Sequence, residues 1–253
     1  MLLAVLYGLI VWREQKMSDI ILAVPSKGRL EELSREIFAE AGMAIERPGG
    51  ARSYSGNLVG YNNISVQFLP ASEIARELVR GSVDIGITGV DLIYETSENA
   101  IDNVVLACEL GFGQADVVVA IPDAWIDVTT MRDLSDVAAD FRNIHGRWLR
   151  VATKYVHLTR QFFAQHQIAQ YQIVQSVGAT EAAPSSGAAD LIVDITSTGS
   201  TLKANGLRIL SDGIILKSEA TLIVSKSANW TPAQRMTIAQ ILDAIGIEQN
   251  EDE

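Results

Sequence analysis

The chain reads as an α/β protein with mostly parallel sheets, folded as two lobes around a cleft. Three observations lead there. Strand-type and helix-type patterns alternate from end to end. Segments rich in Gly, Ser, Thr and charge mostly follow apolar strands, where ligands sit in such folds. Two irregular zones interrupt the alternation: Arg47 to Asn63, a loop or hairpin, and Phe112-Gly113-Gln114, placed as a hinge would be.

The elements follow in order. Ile20 to Val24 is an apolar run that predicts a strand, and Glu31 to Ala41 has helical spacing with Leu33, Ile37 and Phe38 on one face. Ile64 to Leu69 predicts a strand, and Pro70 precedes a helix over Ser72 to Val79. Val83 to Ile87 is a strand ending in Thr88-Gly89, and Val104 to Ala107 and Val117 to Ile121 are two more. A helix over Met131 to Phe141 precedes a strand over Leu149 to Ala152 and a helix from His157 to Gln165. Gln172 to Val177, Leu191 to Ile195, Leu207 to Leu210 and Ala220 to Val224 read as strands, and Pro232 to Ile245 as the last helix. The expected division is an extension over 1–16, a first lobe over 17–110 plus 209–253, and a second lobe over 111–208.

Bulk properties narrow the classes. With 253 residues and 48% hydrophobic content, the chain can bury a large core. Its net charge of −11 argues against broad nucleic-acid binding, so an anionic substrate needs local cations or a metal ion. One cysteine, Cys108, excludes an intrachain disulfide and reads as a core thiol. Three histidines and that cysteine do not make a zinc site. Met1 to Trp12 is apolar but too short to span a bilayer and lacks the flanks of a signal peptide. Met17 reads as the true start, and a cytoplasmic protein without membrane contact is expected.

Chemistry concentrates in a few loops. Leu191-Ile-Val-Asp194 runs into Ile195-Thr196-Ser197-Thr198-Gly199-Ser200-Thr201. Here an apolar strand ends on an acid, and a hydroxyl-rich turn opens a helix. Outward backbone N–H groups and hydroxyls suit a phosphate, and Asp194 suits sugar hydroxyls. Read alone, the turn is equally an ordinary strand-to-helix connection with a Ser/Thr cap. Ser26-Lys27-Gly28-Arg29 puts two cations at a helix start, unfavourably for the helix dipole and favourably for an anion. Arg52 adds a third cation in a glycine-rich loop. Glu181 offers a second carboxylate for ribose hydroxyls or magnesium. Arg150-Val-Ala-Thr153-Lys154-Tyr155 and Asp84-Ile-Gly86-Ile-Thr88-Gly89-Val-Asp91 complete the set, the latter with glycines that allow close backbone approach to a ligand.

Five of these segments, Ser26-Lys-Gly-Arg-Leu, Asp84-Ile-Gly-Ile-Thr-Gly, Arg150-Val-Ala-Thr-Lys-Tyr, Glu181-Ala-Ala-Pro and Val193-Asp-Ile-Thr-Ser-Thr-Gly-Ser-Thr-Leu-Lys-Ala-Asn-Gly-Leu, occur in the order of one family. Each is weak alone; together they are specific. The chain resembles the ATP phosphoribosyltransferases of histidine biosynthesis over about Ile20 to Val224. The resemblance implies a two-lobed, periplasmic-binding-protein-like (type II) fold with the active site in the interlobe cleft. It implies attack of ATP N1 on C1 of 5-phosphoribosyl-1-pyrophosphate, with pyrophosphate leaving. Lys27, Arg29 and Arg52, with Mg2+ carried on substrate phosphates, would serve the leaving group. Thr196 to Thr201 would hold the 5′-phosphate, with Glu181 and Asp194 on the ribose. Thr88, Gly89, Thr153 and Lys154 are candidate contacts to ATP or pyrophosphate. Asp194 is followed by Ile195, unlike the paired acids of purine-salvage phosphoribosyltransferases. One helix and an acidic tail after Val224 suggest the family's short form. That form implies a homodimer within a hetero-oligomer and a regulatory subunit resembling histidyl-tRNA synthetase. A solute-binding protein without chemistry, or a weakly active paralogue, would share the same loops.

Overall fold

The computed structural model describes residues 19–176 and 178–246, so the expectation for 1–16 lies outside the described residues. The chain forms β1 (Ile20–Pro25), α1 (Gly28–Glu40), β2 (Ile45–Glu46), β3 (Ser55–Leu58), β4 (Tyr61–Leu69), α2 (Ala71–Arg80), β5 (Ile85–Gly89), α3 (Val90–Thr96) and β6 (Val104–Glu109). It then lays down β7 (Ala115–Pro122), α4 (Met131–His145), β8 (Leu149–Thr153), α5 (Val156–Gln165), β9 (Tyr171–Gln175), β10 (Leu191–Thr196), α6 (Ser200–Ala204) and β11 (Leu207–Ser218). It returns through β12 (Ala220–Ser225) and ends on α7 (Pro232–Ala244). Among the described residues no helix is long and apolar enough to cross a membrane.

Local chemistry sets the boundaries. Thr130 and Asp133 form a capping box at α4, and Thr231 and Gln234 another at α7, where Pro232 occupies a first-turn position needing no N–H donor. Gly81, at φ 80°, closes α2 in the left-handed conformation that glycine adopts without a Cβ clash. The central strands are buried on both faces, so they carry near-continuous apolar runs. Leu22 and Val24 pack with Phe38 and Phe68 on one face of the first sheet, while Ala23 packs with Ile74 and Leu78 on the other. Val117, Val119 and Val151 meet Phe163 on one face of the second sheet; Val118, Ala152 and Ile192 meet Leu202 on the other. Each such large side chain contributes roughly 1.5–3 kcal/mol by leaving water.

The sheets have the orders β2-β3-β4-β1-β5-β12-β6 and β11-β7-β10-β8-β9. One plan appears twice. Three strands run parallel in each (β4-β1-β5 and β9-β8-β10), flanked by a strand laid antiparallel immediately after the chain changes sheets (β12 and β7), then by a further strand (β6 and β11). This exchange of one strand between lobes is the type II arrangement. The sheets are therefore mixed, with the parallel pairs grouped around β1 and β8.

Some element boundaries differ from the sequence reading. The Arg47–Asn63 zone is a short 3-10 turn at Gly50–Arg52 followed by the start of the β3–β4 hairpin. β11 runs to Ser218, so the second sheet extends ten residues beyond the 208 boundary drawn from sequence. Ser211-Asp212-Gly213 looks like a strand end but is absorbed by a shift of register between Ile209 and Ile214, after which β11 continues along β7. Cys108, on the edge strand β6, is only partly buried.

Candidate active site

Register alone makes the two sheets face each other. Ala220 stands opposite Gly89 and Thr221 opposite Glu109, so the chain leaves and re-enters the first sheet at its carboxyl edge. Asp116 stands opposite Thr196 and Ser218 opposite Ala115, so both crossings also meet the carboxyl edge of the second sheet. The crossings are bonded together: Leu110 N–H donates to Ala220 C=O (2.9 Å), and Ala220 N–H to Phe112 C=O (3.0 Å). Phe112-Gly113-Gln114 thus lies in the hinge. A cavity of about 340 Å³ opens there, lined by Val90, Gln114, Asp116, Lys217 and Glu219 among others.

The first lobe brings cations. Lys27 has extended backbone at the N-cap of α1, Gly28 sits at φ 74°, and Lys27 and Arg29 are exposed. Arg52 is exposed on the 3-10 turn before β3. The residue that ties these loops together, Arg47, went unnoticed in the sequence. Its side chain is 7% exposed and lies 4.1 Å over the Phe68 ring. It donates to Ser53 C=O (2.6 Å), Ser26 C=O (3.3 Å) and the Glu31 carboxylate (2.9 Å). One guanidinium therefore links the Lys27 loop to the Arg52 loop. An arginine followed by Pro48 and two glycines gave no signal that set it apart from a surface cation.

The second lobe brings hydroxyls and carboxylates. Gly199, at φ 70°, caps α6, and Ser197, Thr198, Ser200 and Thr201 are exposed. The loop is partly bonded to itself: Gly199 N–H donates to Thr196 Oγ1 (2.9 Å), and Thr198 and Ser200 share a hydrogen bond (2.8 Å). Ser200 N–H also donates to Thr198 Oγ1 (3.3 Å), so two of the N–H groups expected to face outward are bonded within the loop. Asp194 is half-buried beside the loop, 3.3 Å from Lys154 Nζ. Glu181 lies half-buried on a 3-10 turn entered through Ala179 at φ 38°, a left-handed position strained for a residue with a Cβ. Among the described residues no cluster of three His, Cys, Asp or Glu is arranged to hold a metal.

Other expectations change on contact with the geometry. Thr88 is 1% exposed and its hydroxyl donates to Ala71 C=O (2.8 Å); Thr153 is fully buried and its Oγ1 accepts Tyr155 N–H (2.8 Å). Neither hydroxyl is exposed: that of Thr88 ties the end of β5 to the start of α2, and that of Thr153 holds the turn into α5. Gly86 is small because a Cβ would press on Ile74 of α2, and Gly89 because a Cβ would collide with the Asp91 carboxylate. Both glycines thus make room for protein. Asp84 and Arg150 lie at the amino ends of their strands, away from the cleft. Asp84 accepts from Ile21 N–H and Trp230 Nε1–H. Arg150 and Arg147 donate to Asp190. Burial acts to raise the Asp190 pKa, but these two guanidiniums and the Arg150 N–H outweigh it and hold the carboxyl at about 2. His157 is the second residue of α5, as expected of a helix-start residue.

Known proteins match this arrangement. The family model of ATP phosphoribosyltransferase, HisG, matches residues 70–246. The chain is 57% identical to an ATP phosphoribosyltransferase of Afipia carboxidovorans over 228 residues, 90% of this chain and 70% of that one. It is 57% identical to that of Rhodopseudomonas palustris over 225 residues, 89% of this chain and 69% of that one. Among solved structures it is similar to the ATP phosphoribosyl transferase (HisG:HisZ) complex from Thermotoga maritima, with TM-score 0.68 and 25% identity, covering 89% of this chain and 95% of that one.

Proposed function

The chain belongs to the ATP phosphoribosyltransferase family, and from that premise we propose how its two lobes share the reaction. The enzyme transfers the phosphoribosyl group of 5-phosphoribosyl-1-pyrophosphate to N1 of ATP, forming phosphoribosyl-ATP and pyrophosphate in the first step of histidine biosynthesis. The N1–C1 bond forms as the C1–O bond to pyrophosphate breaks. Adenine N1 already holds a free lone pair, so its attack needs no general base. The step needs two anions aligned and the charge on the departing pyrophosphate stabilised.

In this reading Thr196 to Thr201 hold the 5′-phosphate, and Asp194 and Glu181 accept hydrogen bonds from the ribose hydroxyls. Lys154, exposed and paired with Asp194, and the Gly89 backbone are further contacts for ATP or pyrophosphate. Lys27, Arg29 and Arg52 meet the pyrophosphate from the first lobe. Mg2+, carried on substrate phosphates, supplies further charge neutralisation. The observation that carries the reading is the placement of these loops on two facing carboxyl edges, cations on one lobe and hydroxyls with carboxylates on the other.

We further propose that the chain works as a homodimer within a hetero-oligomer with a regulatory subunit resembling histidyl-tRNA synthetase. The Thermotoga maritima complex, which contains HisG and HisZ, supports that partner. A cytoplasmic setting fits the two polyphosphorylated substrates. The test is direct: mix the protein with ATP, 5-phosphoribosyl-1-pyrophosphate and magnesium, then follow pyrophosphate and the absorbance of the adduct. Product is expected; none, even with the regulatory subunit added, would overturn the assignment.

A further inference from the structure

One short helix belongs to both lobes. α3 follows Gly89 directly. Ile93 packs into the first lobe's core and Tyr94 against the second lobe's, while Leu92 touches both. Its two carboxylates, Asp91 and Glu95, stand four residues apart and so share a face. Asp91 is 4% exposed. Its carboxylate accepts from Tyr155 OH (2.9 Å) on the second lobe and from Ser218 Oγ–H (2.6 Å) at the hinge. The Asp91 N–H donates back to Ser218 Oγ (3.2 Å). Glu95 accepts the N–H groups of His157 (3.0 Å) and Leu158 (3.1 Å) and so caps α5 from outside it.

Hydroxyls, and among the described residues no cation, compensate the Asp91 carboxylate. A buried carboxyl group held that way depends on both hydroxyls for its hydrogen bonds. Its two partners and its neighbour Gly89 connect places that matter to the reaction. Tyr155 follows Lys154, whose ammonium pairs with Asp194 and lies 5.5 Å from the Tyr155 ring. Ser218 is the last residue before the chain crosses back at Glu219. Gly89 lies against the Asp91 carboxylate, with no room there for a side chain.

We propose that Asp91 and Tyr155 are positioning residues: with Ser218 they form a buried lock across the hinge that couples the ATP side of the cleft to the phosphoribosyl side. The proposal rests on the reading of the facing loops as the two substrate subsites. The lock fixes the angle between lobes, so a ligand on one lobe prepares the other. Tyr155→Phe removes one hydroxyl and leaves the ring in place.

The test measures ATP affinity by calorimetry on the full chain, with and without unreactive ribose 5-phosphate. In the wild type, ribose 5-phosphate should tighten ATP about fivefold or more. In Tyr155→Phe that coupling should fall below about twofold, with each lone affinity kept within about threefold and turnover lowered about tenfold. A purely structural role would instead spare the coupling of the folded fraction. Unchanged coupling in Tyr155→Phe, or none in the wild type, overturns the lock. If Tyr155→Phe fails to fold, Ser218→Ala is judged by the same criteria. A wild type that binds neither ligand overturns the subsite reading, and the lock with it.

Discussion

Replacing Arg47 by methionine should unfasten the cationic loops while leaving every proposed substrate contact in the sequence. The side chain is 7% exposed, and its partner Glu31 is 16% exposed, so the pair is largely out of water. Removing one member of a buried pair typically costs about 3–5 kcal/mol, because the remaining charge keeps its desolvation penalty. Ser53 C=O, bonded at 2.6 Å, would also lose its donor. Methionine packed on Phe68 recovers part of the loss, so the lower end, about 3 kcal/mol, is expected. That is a large share of a typical 5–15 kcal/mol total stability. Equilibrium urea unfolding followed by tryptophan fluorescence would measure it. Turnover should fall as well, because Lys27, Arg29 and Arg52 would no longer be held together. Arg47→Lys should land between, since an ammonium keeps the charge but cannot fork between Glu31 and Ser53. A loss under about 1 kcal/mol in Arg47→Met, with turnover within about threefold of wild type, would refute the clamp.

Three further outcomes are expected. Arg29→Ala should lower turnover by ~10²–10³, the usual scale for one lost transition-state donor, and a near-normal steady-state rate would remove Arg29 from the leaving-group site. Gly89→Ala should force the Asp91 carboxylate aside and cost about 1–3 kcal/mol, read as a drop of several degrees in Tm; an unchanged Tm would show that the space is not needed. Asp190 is held at about 2, below its ordinary 3.8, so its contribution is complete above pH 4 and fades as the pH falls through 2. After solvent screening that contribution is about 1 kcal/mol, and acid unfolding of Asp190→Asn should show a correspondingly shallower loss over this window, whereas an identical pH profile would dissociate Asp190 from acid stability.

What could be read from the sequence was local. Ile20 to Val24 and Leu191 to Val193 are apolar at every position, and the hydroxyl, glycine and charge that follow them mark strand ends without further help. Lys27 and Arg29 could be picked out because cations are unusual at a helix start, and the Thr196–Thr201 turn because its hydroxyls follow a strand that ends on an acid. Arg47 could not, because its meaning lies in Glu31, Ser26 and Ser53, brought near by a hairpin. Asp91 could not either: its partners are 64 and 127 residues away. Thr88 and Thr153 show the opposite error. A threonine ending a strand looks the same on paper whether its hydroxyl faces a cleft or is folded back onto Ala71 C=O or Tyr155 N–H. The end of β11 was misplaced because a bulge and a chain reversal are both written in Ser, Asp and Gly.

The charge of the molecule and the charge of its substrates pose one problem, and the cleft answers it locally. A chain of net charge −11 must admit two polyanions. At physiological ionic strength the field of distant carboxylates is screened within about 8 Å, so what a phosphate meets is set by the nearest few side chains. Four carboxylates near the cleft are already occupied: Glu31 by Arg47, Asp194 by Lys154, Asp91 by two hydroxyls, and Glu95 by the N-terminus of α5. The exposed cations are differently placed. Among the described residues none of Lys27, Arg29 and Arg52 is in an ion pair, and all three are exposed. A polyphosphate can engage them without first displacing an internal partner, so more of the interaction is left to grow as charge develops on the leaving group. In the proposed reading the exposed cations are left for the reacting phosphates, while Arg47, the buried cation beside them, holds their loops together.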